Sequence, residues 1–96
     1  MDLSFNTVKG EKSDHKVVLY ALSTCGWCKK TRVFLEENSV TYDYIYIDRS
    51  SFEEKKEIST FLKEKGVPLG FPITFIDHEI VISGYKPDDL KEALDL

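Results

Sequence analysis

Ninety-six residues amount to one domain of common size, with enough chain for a modest single core. At 42% hydrophobic and 31% charged residues the composition is that of an ordinary globular protein, and no apolar run approaches the roughly 18 residues a membrane span needs. A net charge of −4 and an isoelectric point near 5.1 argue against a general nucleic-acid binder, which carries a basic face.

Residues 1–14 are polar, with Leu3, Phe5 and Val8 scattered among them. They read as an N-terminal extension that could hold a short edge strand, leaving residues 15–96 as the domain. The opening stretch lacks an apolar h-region, so no secretory signal is expected and the cytoplasm is the expected location. VVLYAL (Val17–Leu22) is a short apolar run with β-branched and aromatic residues, which predicts a buried strand. Thr31, Phe34 and Leu35 then recur at helical spacing until the pattern fades at Asn38. YDYIYI (Tyr42–Ile47) predicts a second strand, its tyrosines read as packing. Ser51 with Glu54 three residues on is a capping-box signature, Ile58, Phe61 and Leu62 form the stripe of the helix it starts, and Gly66 is its stop. ITFID (Ile73–Asp77) and EIVIS (Glu79–Ser83) are strands joined so closely at His78 that they predict a hairpin. Pro87 suits a first helical residue, Asp88 and Asp89 suit the positive helix start, and Leu90, Ala93 and Leu94 make one apolar face. The order β-α-β-α-β-β-α predicts a four-stranded mixed sheet flanked by three helices, an α/β fold whose first half is a right-handed βαβ unit.

Both cysteines lie in STCGWCKKT, two residues apart, where the first strand gives way to the first helix. Cys25 falls at the helix start, where the unpaired N–H groups of Trp27 and Cys28 can point at its sulfur. Such donors favour a thiolate, the attacking species in disulfide exchange. Cys28 lies one turn later, within reach and more buried. That asymmetry suits a two-step reaction in which Cys25 forms a mixed disulfide and Cys28 resolves it. A structural zinc needs four ligands, and neither His15 nor His78 stands at ligand spacing from the pair, so no metal site is expected. Inert buried cysteines fit poorly with an electropositive, partly exposed helix start.

CGWC, FPITFID and SGYKPDDL together resemble the glutaredoxin family from about Val17 to Leu94. The resemblance implies a thioredoxin-like fold and a thiol–disulfide oxidoreductase with no bound cofactor, recycled by glutathione or thioredoxin reductase. It makes Pro72 a cis-proline facing Cys25 and Cys28, with Phe71 offering backbone hydrogen bonds to an incoming peptide or glutathione. Gly84 would let a substrate backbone approach, and Gly26, Trp27 and Tyr85 would complete the contact surface. The SGYKPDDL segment is most similar to that of the redoxins serving ribonucleotide reductase, which implies disulfide-containing proteins of that kind as partners. No nucleic acid or membrane is implied, and a monomer is expected.

Several positions depart from the family's pattern. Leu22 stands where glutathione-using members often carry a cation for a glutathione carboxylate, and Lys86 is a candidate substitute. Leu19 stands where thioredoxins carry a buried acid. Gly26 replaces the usual proline, a change that in the family goes with occasional glutathione-ligated iron–sulfur clusters. Lys29, Lys30 and Arg32 read as solvated helix face that could steer an acidic partner. A cluster carrier and a thioredoxin-fold binding module with a silent dithiol are the alternative classes.

Overall fold

The computed structural model describes residues 4–67 and 70–96, so Leu3 lies outside the described residues. In chain order it contains β1 (Asn6–Val8), β2 (Val17–Ala21), α1 (Gly26–Glu37), β3 (Tyr42–Tyr46), one 3₁₀ turn (Ile47–Arg49), α2 (Phe52–Glu64), β4 (Ile73–Ile76), β5 (Ile80–Ser83) and α3 (Pro87–Leu94). The strands form one mixed sheet in the order β1-β3-β2-β4-β5, in which β2 and β3 run parallel and every other pair antiparallel.

The sheet therefore has five strands, not the four expected from the sequence. The additional strand is β1, which pairs Asn6 with Tyr44 and Val8 with Tyr42. Its residues are exposed or half-buried, so it carries no buried alternation and is defined by backbone pairing alone. The chain beyond it stays attached to the body, with Lys12 N donating to Ser39 O at 2.8 Å and Thr41 N to Lys12 O at 2.9 Å. Gly10 sits in the closest approach, where a Cβ would meet Ser39 O at 2.2 Å.

Alternation along β2 divides the core between the two faces of the sheet. Val17, Leu19 and Ala21 point to the layer that holds Cys28, Phe34 and Leu35 of α1 and Leu90 and Leu94 of α3. Tyr20 points the other way, with Ile45, Ile73 and Phe75, to meet Ile58 and Leu62 of α2. The period of two along the strand and the 3.6-residue stripes of the helices thus sort α1 and α3 onto one face and α2 onto the other.

The helix starts follow local chemistry. Ser51 caps α2 through a full box: Glu54 N donates to Ser51 Oγ, and Ser51 N to Glu54 Oε1, each at 3.1 Å. Pro87, Asp88 and Asp89 occupy the first turn of α3. The β4–β5 connection takes positive φ at both Asp77 and His78, which ends β4 at Ile76 and begins β5 at Ile80. At this end of the sheet His15 Nδ1 lies 2.6 Å from Asp77 Oδ2 and Nε2 lies 3.0 Å from Asp95 Oδ2. Among the described residues no helix is long and apolar enough to cross a membrane.

Candidate active site

β2 and β3 are parallel and end together, Ala21 opposite Tyr46. The loop leaving β2 turns at once, Cys25 N donating to Leu22 O at 3.2 Å. Cys25 is the N-cap of α1: its backbone is extended, at φ −89° and ψ 117°, and its Sγ accepts from Cys28 N at 3.2 Å. The helix ladder begins on the same residue, Lys29 N donating to Cys25 O. No acidic side chain lies in the first turn of α1, so nothing within the helix start itself offsets its positive end.

Both cysteines are free thiols, and their surroundings differ. Cys25 is half-exposed, whereas Cys28 is 1% exposed within the α1/α3 core layer. Burial pushes the Cys28 thiol up to about 12, and the neighbouring Cys25 pushes in the same direction. The site therefore pairs one accessible sulfur held by a backbone donor with one sulfur kept neutral by its surroundings.

The remaining candidate residues come from three segments. Phe71 and Tyr85 pack with Cys25 against the core layer that holds Cys28. The Phe71–Pro72 peptide is cis, the Pro72 ring is buried, and Pro72 O accepts from Gly84 N at 2.7 Å. Gly84 has φ +91° with open space where a Cβ would stand, a conformation that glycine adopts without steric cost. Trp27 is 57% exposed and stacks on Tyr85, ring centroids 6.0 Å apart. Phe34, which the sequence marks only as core, meets the Tyr85 ring edge-on at 6.5 Å. Gly26, Lys29, Lys30, Val33, Phe34 and Glu37 of α1 line an open groove of about 330 Å³ with Tyr85, and neither cysteine is part of its lining.

The charged residues sort differently from the sequence reading. Arg32 is not part of a free basic face. Its guanidinium lies 3.9 Å from the Tyr44 ring centroid and donates to Tyr42 Oη at 3.0 Å and to Tyr46 Oη at 2.6 Å. The aligned tyrosines of β3 thus hold an arginine of α1 in addition to packing. Lys29 and Lys30 are both exposed, and Lys30 Nζ lies 4.6 Å over the Trp27 ring. Leu22 is half-buried, and Lys86 is exposed at the start of α3. Sequence reasoning also passed over Asp48, in the 3₁₀ turn after β3, which accepts from both the backbone and the hydroxyl of Ser23. Twenty-five residues separate the two, and no local pattern joins them.

A sequence profile described as Glutaredoxin matches residues 17–81, more than half of the chain. The chain belongs to the glutaredoxin family. Glutaredoxin 1 of Rickettsia felis is 33% identical to it over 64 residues, 67% of this chain and 60% of that one, so the chain spans about three fifths of the length of this relative. The crystal structure of the glutaredoxin from Methanosarcina mazei Go1 superposes with a TM-score of 0.82 at 37% identity, covering 96% of this chain and 88% of the other. The glutaredoxin-like NrdH-redoxin from Escherichia coli shares the fold, with a TM-score of 0.66 at 21% identity over 80% of this chain and 92% of its own. Family membership and these superpositions together assign the chain a thioredoxin-like fold. The matched profile covers both cysteines and Phe71–Pro72 and stops short of Gly84 and Tyr85.

Proposed function

We propose that the chain is a thiol–disulfide oxidoreductase that reduces disulfides of proteins or small molecules with the Cys25/Cys28 dithiol. The observation that carries the reading is the division between the two sulfurs: Cys25 caps α1 and accepts the Cys28 N–H, while Cys28 is buried and its thiol is pushed up to about 12. The thiolate of Cys25 attacks one sulfur of a substrate disulfide. The substrate S–S bond breaks, a Cys25–substrate disulfide forms, and the other substrate sulfur leaves as a thiolate. Cys25 then no longer carries charge, so its contribution to holding the Cys28 proton disappears. Cys28 passes its proton to the departing sulfur and attacks Cys25 Sγ. The Cys25–substrate bond breaks, the second substrate sulfur leaves as a thiolate, and Cys25 and Cys28 are left as an intramolecular disulfide. Two electrons from an external thiol pair restore the dithiol.

Trp27, Phe71, Gly84 and Tyr85 would hold the substrate segment beside Cys25, with Trp27 as its exposed aromatic anchor. Substrates of this reading are disulfide-containing proteins such as ribonucleotide reductase, and the setting is the reducing cytoplasm, with the protein working as a monomer and without a bound cofactor. The reductant is glutathione or thioredoxin reductase. Leu22 offers no carboxylate partner to glutathione, and exposed Lys86 is the candidate for that role.

The test follows NADPH consumption with a small disulfide as substrate, supplying either glutathione with glutathione reductase or thioredoxin reductase alone. Turnover with either system is expected, and the one that supports it identifies the reductant. A Cys28→Ser protein is expected to accumulate a mixed disulfide on Cys25, seen as added mass. Absence of turnover in both systems, with no mixed disulfide trapped, would overturn the reading.

A further inference from the structure

The nucleophile of the proposed reaction sits at the end of a short connection. β2 stops at Ala21 and α1 starts at Gly26, and the chain corners between them through the Cys25 N to Leu22 O turn. Ser23 stands at that corner, and both of its donors go to one carboxylate. Ser23 N donates to Asp48 Oδ1 at 2.8 Å, and Ser23 Oγ donates to Asp48 Oδ2. Asp48 belongs to the 3₁₀ turn after β3. Because β2 and β3 are paired through Ala21 and Tyr46, the two turns leave the sheet side by side, and the carboxylate spans between them.

We propose that Asp48 is the positioning residue for the nucleophile: gripping Ser23 at two points, it fixes the corner that aims Cys25 Sγ at the Cys28 amide. The inference rests on the reading of Cys25 as the attacking thiol. Three observations support it. Two converging donors meet two carboxylate oxygens, an arrangement that fixes orientation as well as distance. The bonds from Ser23, hydroxyl first and backbone N–H second, hold the Asp48 carboxyl below the usual carboxylate range, so it stays ionised at neutral pH. Thr24, the next residue of the corner, is exposed. The choice of acid is informative in itself. A carboxylate close to the loop disfavours a thiolate electrostatically, so field alone would select against an acid here. Its placement is explained by its two acceptor atoms, which an asparagine cannot reproduce.

The experiment measures the rate at which Cys25 is alkylated by iodoacetamide at neutral pH, assigned by peptide mass mapping, in the full chain. Asp48→Ala is expected to slow alkylation about tenfold, a fall of the size that misplacing a reacting atom produces. Asp48→Asn, which keeps one acceptor oxygen, is expected to recover only part of that rate, and Ser23→Ala, which keeps the N–H bond, to lose about threefold. In steady-state turnover the loss for Asp48→Ala should fall on kcat with KM nearly unchanged. An unchanged or faster alkylation in Asp48→Ala, with melting temperature lowered or not, would overturn the proposal, since a purely structural tie leaves the folded thiol as reactive as before. If Asp48→Ala does not fold, Ser23→Ala decides by the same rate. Alkylation needs no substrate, so it tests positioning even if the unmodified protein turns over no disulfide.

Discussion

The first turns of α1 and α2 are closed by the same kind of bond. Ser51 Oγ accepts from Glu54 N at 3.1 Å, and Cys25 Sγ accepts from Cys28 N at 3.2 Å, each cap residue having an extended backbone. What surrounds the two bonds differs. In α2 the Glu54 carboxylate returns to the Ser51 N–H, and Glu53 and Glu54 both lie at the positive end of the helix. In α1 the third position is a second thiol, and the first turn holds no acid. A neutral thiol is a weak acceptor, so sulfur at an N-cap does less for helix stability than a serine oxygen. The same donors serve a thiolate well. One helix start is therefore closed by its own side chains, and the other leaves its positive end to a reactive sulfur.

The largest test of this contrast exchanges the cap atoms. Cys25→Ser makes the start of α1 resemble that of α2, and disulfide reduction should fall to background while the melting temperature does not drop. Full activity in that protein would remove the assignment. Carrying the acidity of α2 into α1 comes next. Gly26 has open space at its Cβ, so Gly26→Asp should fold, and the added carboxylate should slow alkylation of Cys25 about three- to tenfold at low salt. An unchanged rate would mean that the acid-free first turn has no bearing on reactivity. At the other helix, Ser51→Ala should cost about 1 kcal/mol in urea denaturation and leave turnover alone. A loss of turnover there would show that the two starts are not independent.

The smallest effect concerns the far end of the sheet, where His15 ties the segment before β2 to Asp77 and Asp95. Hydrogen bonds donated to Asp77 and then to Asp95 raise the His15 imidazole above its ordinary 6.5, and the bond from His15 lowers Asp77 below its ordinary 3.8. The raised histidine stabilises the fold fully below about pH 6.5, and this contribution is lost as pH rises through its folded value. The lowered aspartate contributes above about pH 3.8 and loses its contribution as pH falls through its own folded value. The difference in melting temperature between the unmodified protein and His15→Ala should thus be largest between these limits and shrink as pH rises through the folded value of the histidine. A difference that persists unchanged to pH 9 would show that the ring acts through packing rather than charge.

Much of this architecture is legible in the chain because it rests on short-range chemistry. The Ser51–Glu54 box, the cap role of Cys25, the stripe of Ile58, Phe61 and Leu62, and Pro87 at the start of α3 all involve residues within a few positions of one another. The glutaredoxin resemblance rests on contiguous segments of the same kind, CGWC and FPITFID. β1 escaped because three residues on a sheet edge, none of them buried, leave no hydrophobic period; their partner is the backbone of β3 more than thirty residues away. The hairpin tip was placed correctly at His78, but each flanking strand is one residue shorter than the apolar pattern, since the positive φ of Asp77 and His78 belongs to the turn.

The sequence by itself determined the order of elements from β2 onward, the faces they bury, and the thiol pair at a helix start, because local periodicity and capping are encoded within one or two turns of chain. Only the tertiary structure decided what lies around that pair. Packing α1 beside β3 turned Arg32 from a solvated charge into a cation stacked on Tyr44, and Trp27 found Tyr85 across more than fifty residues. Parallel pairing of β2 with β3 brought Asp48 to Ser23. Contacts of this kind depend on which strands become neighbours, and strand order is settled by the burial of the whole core rather than by any one segment.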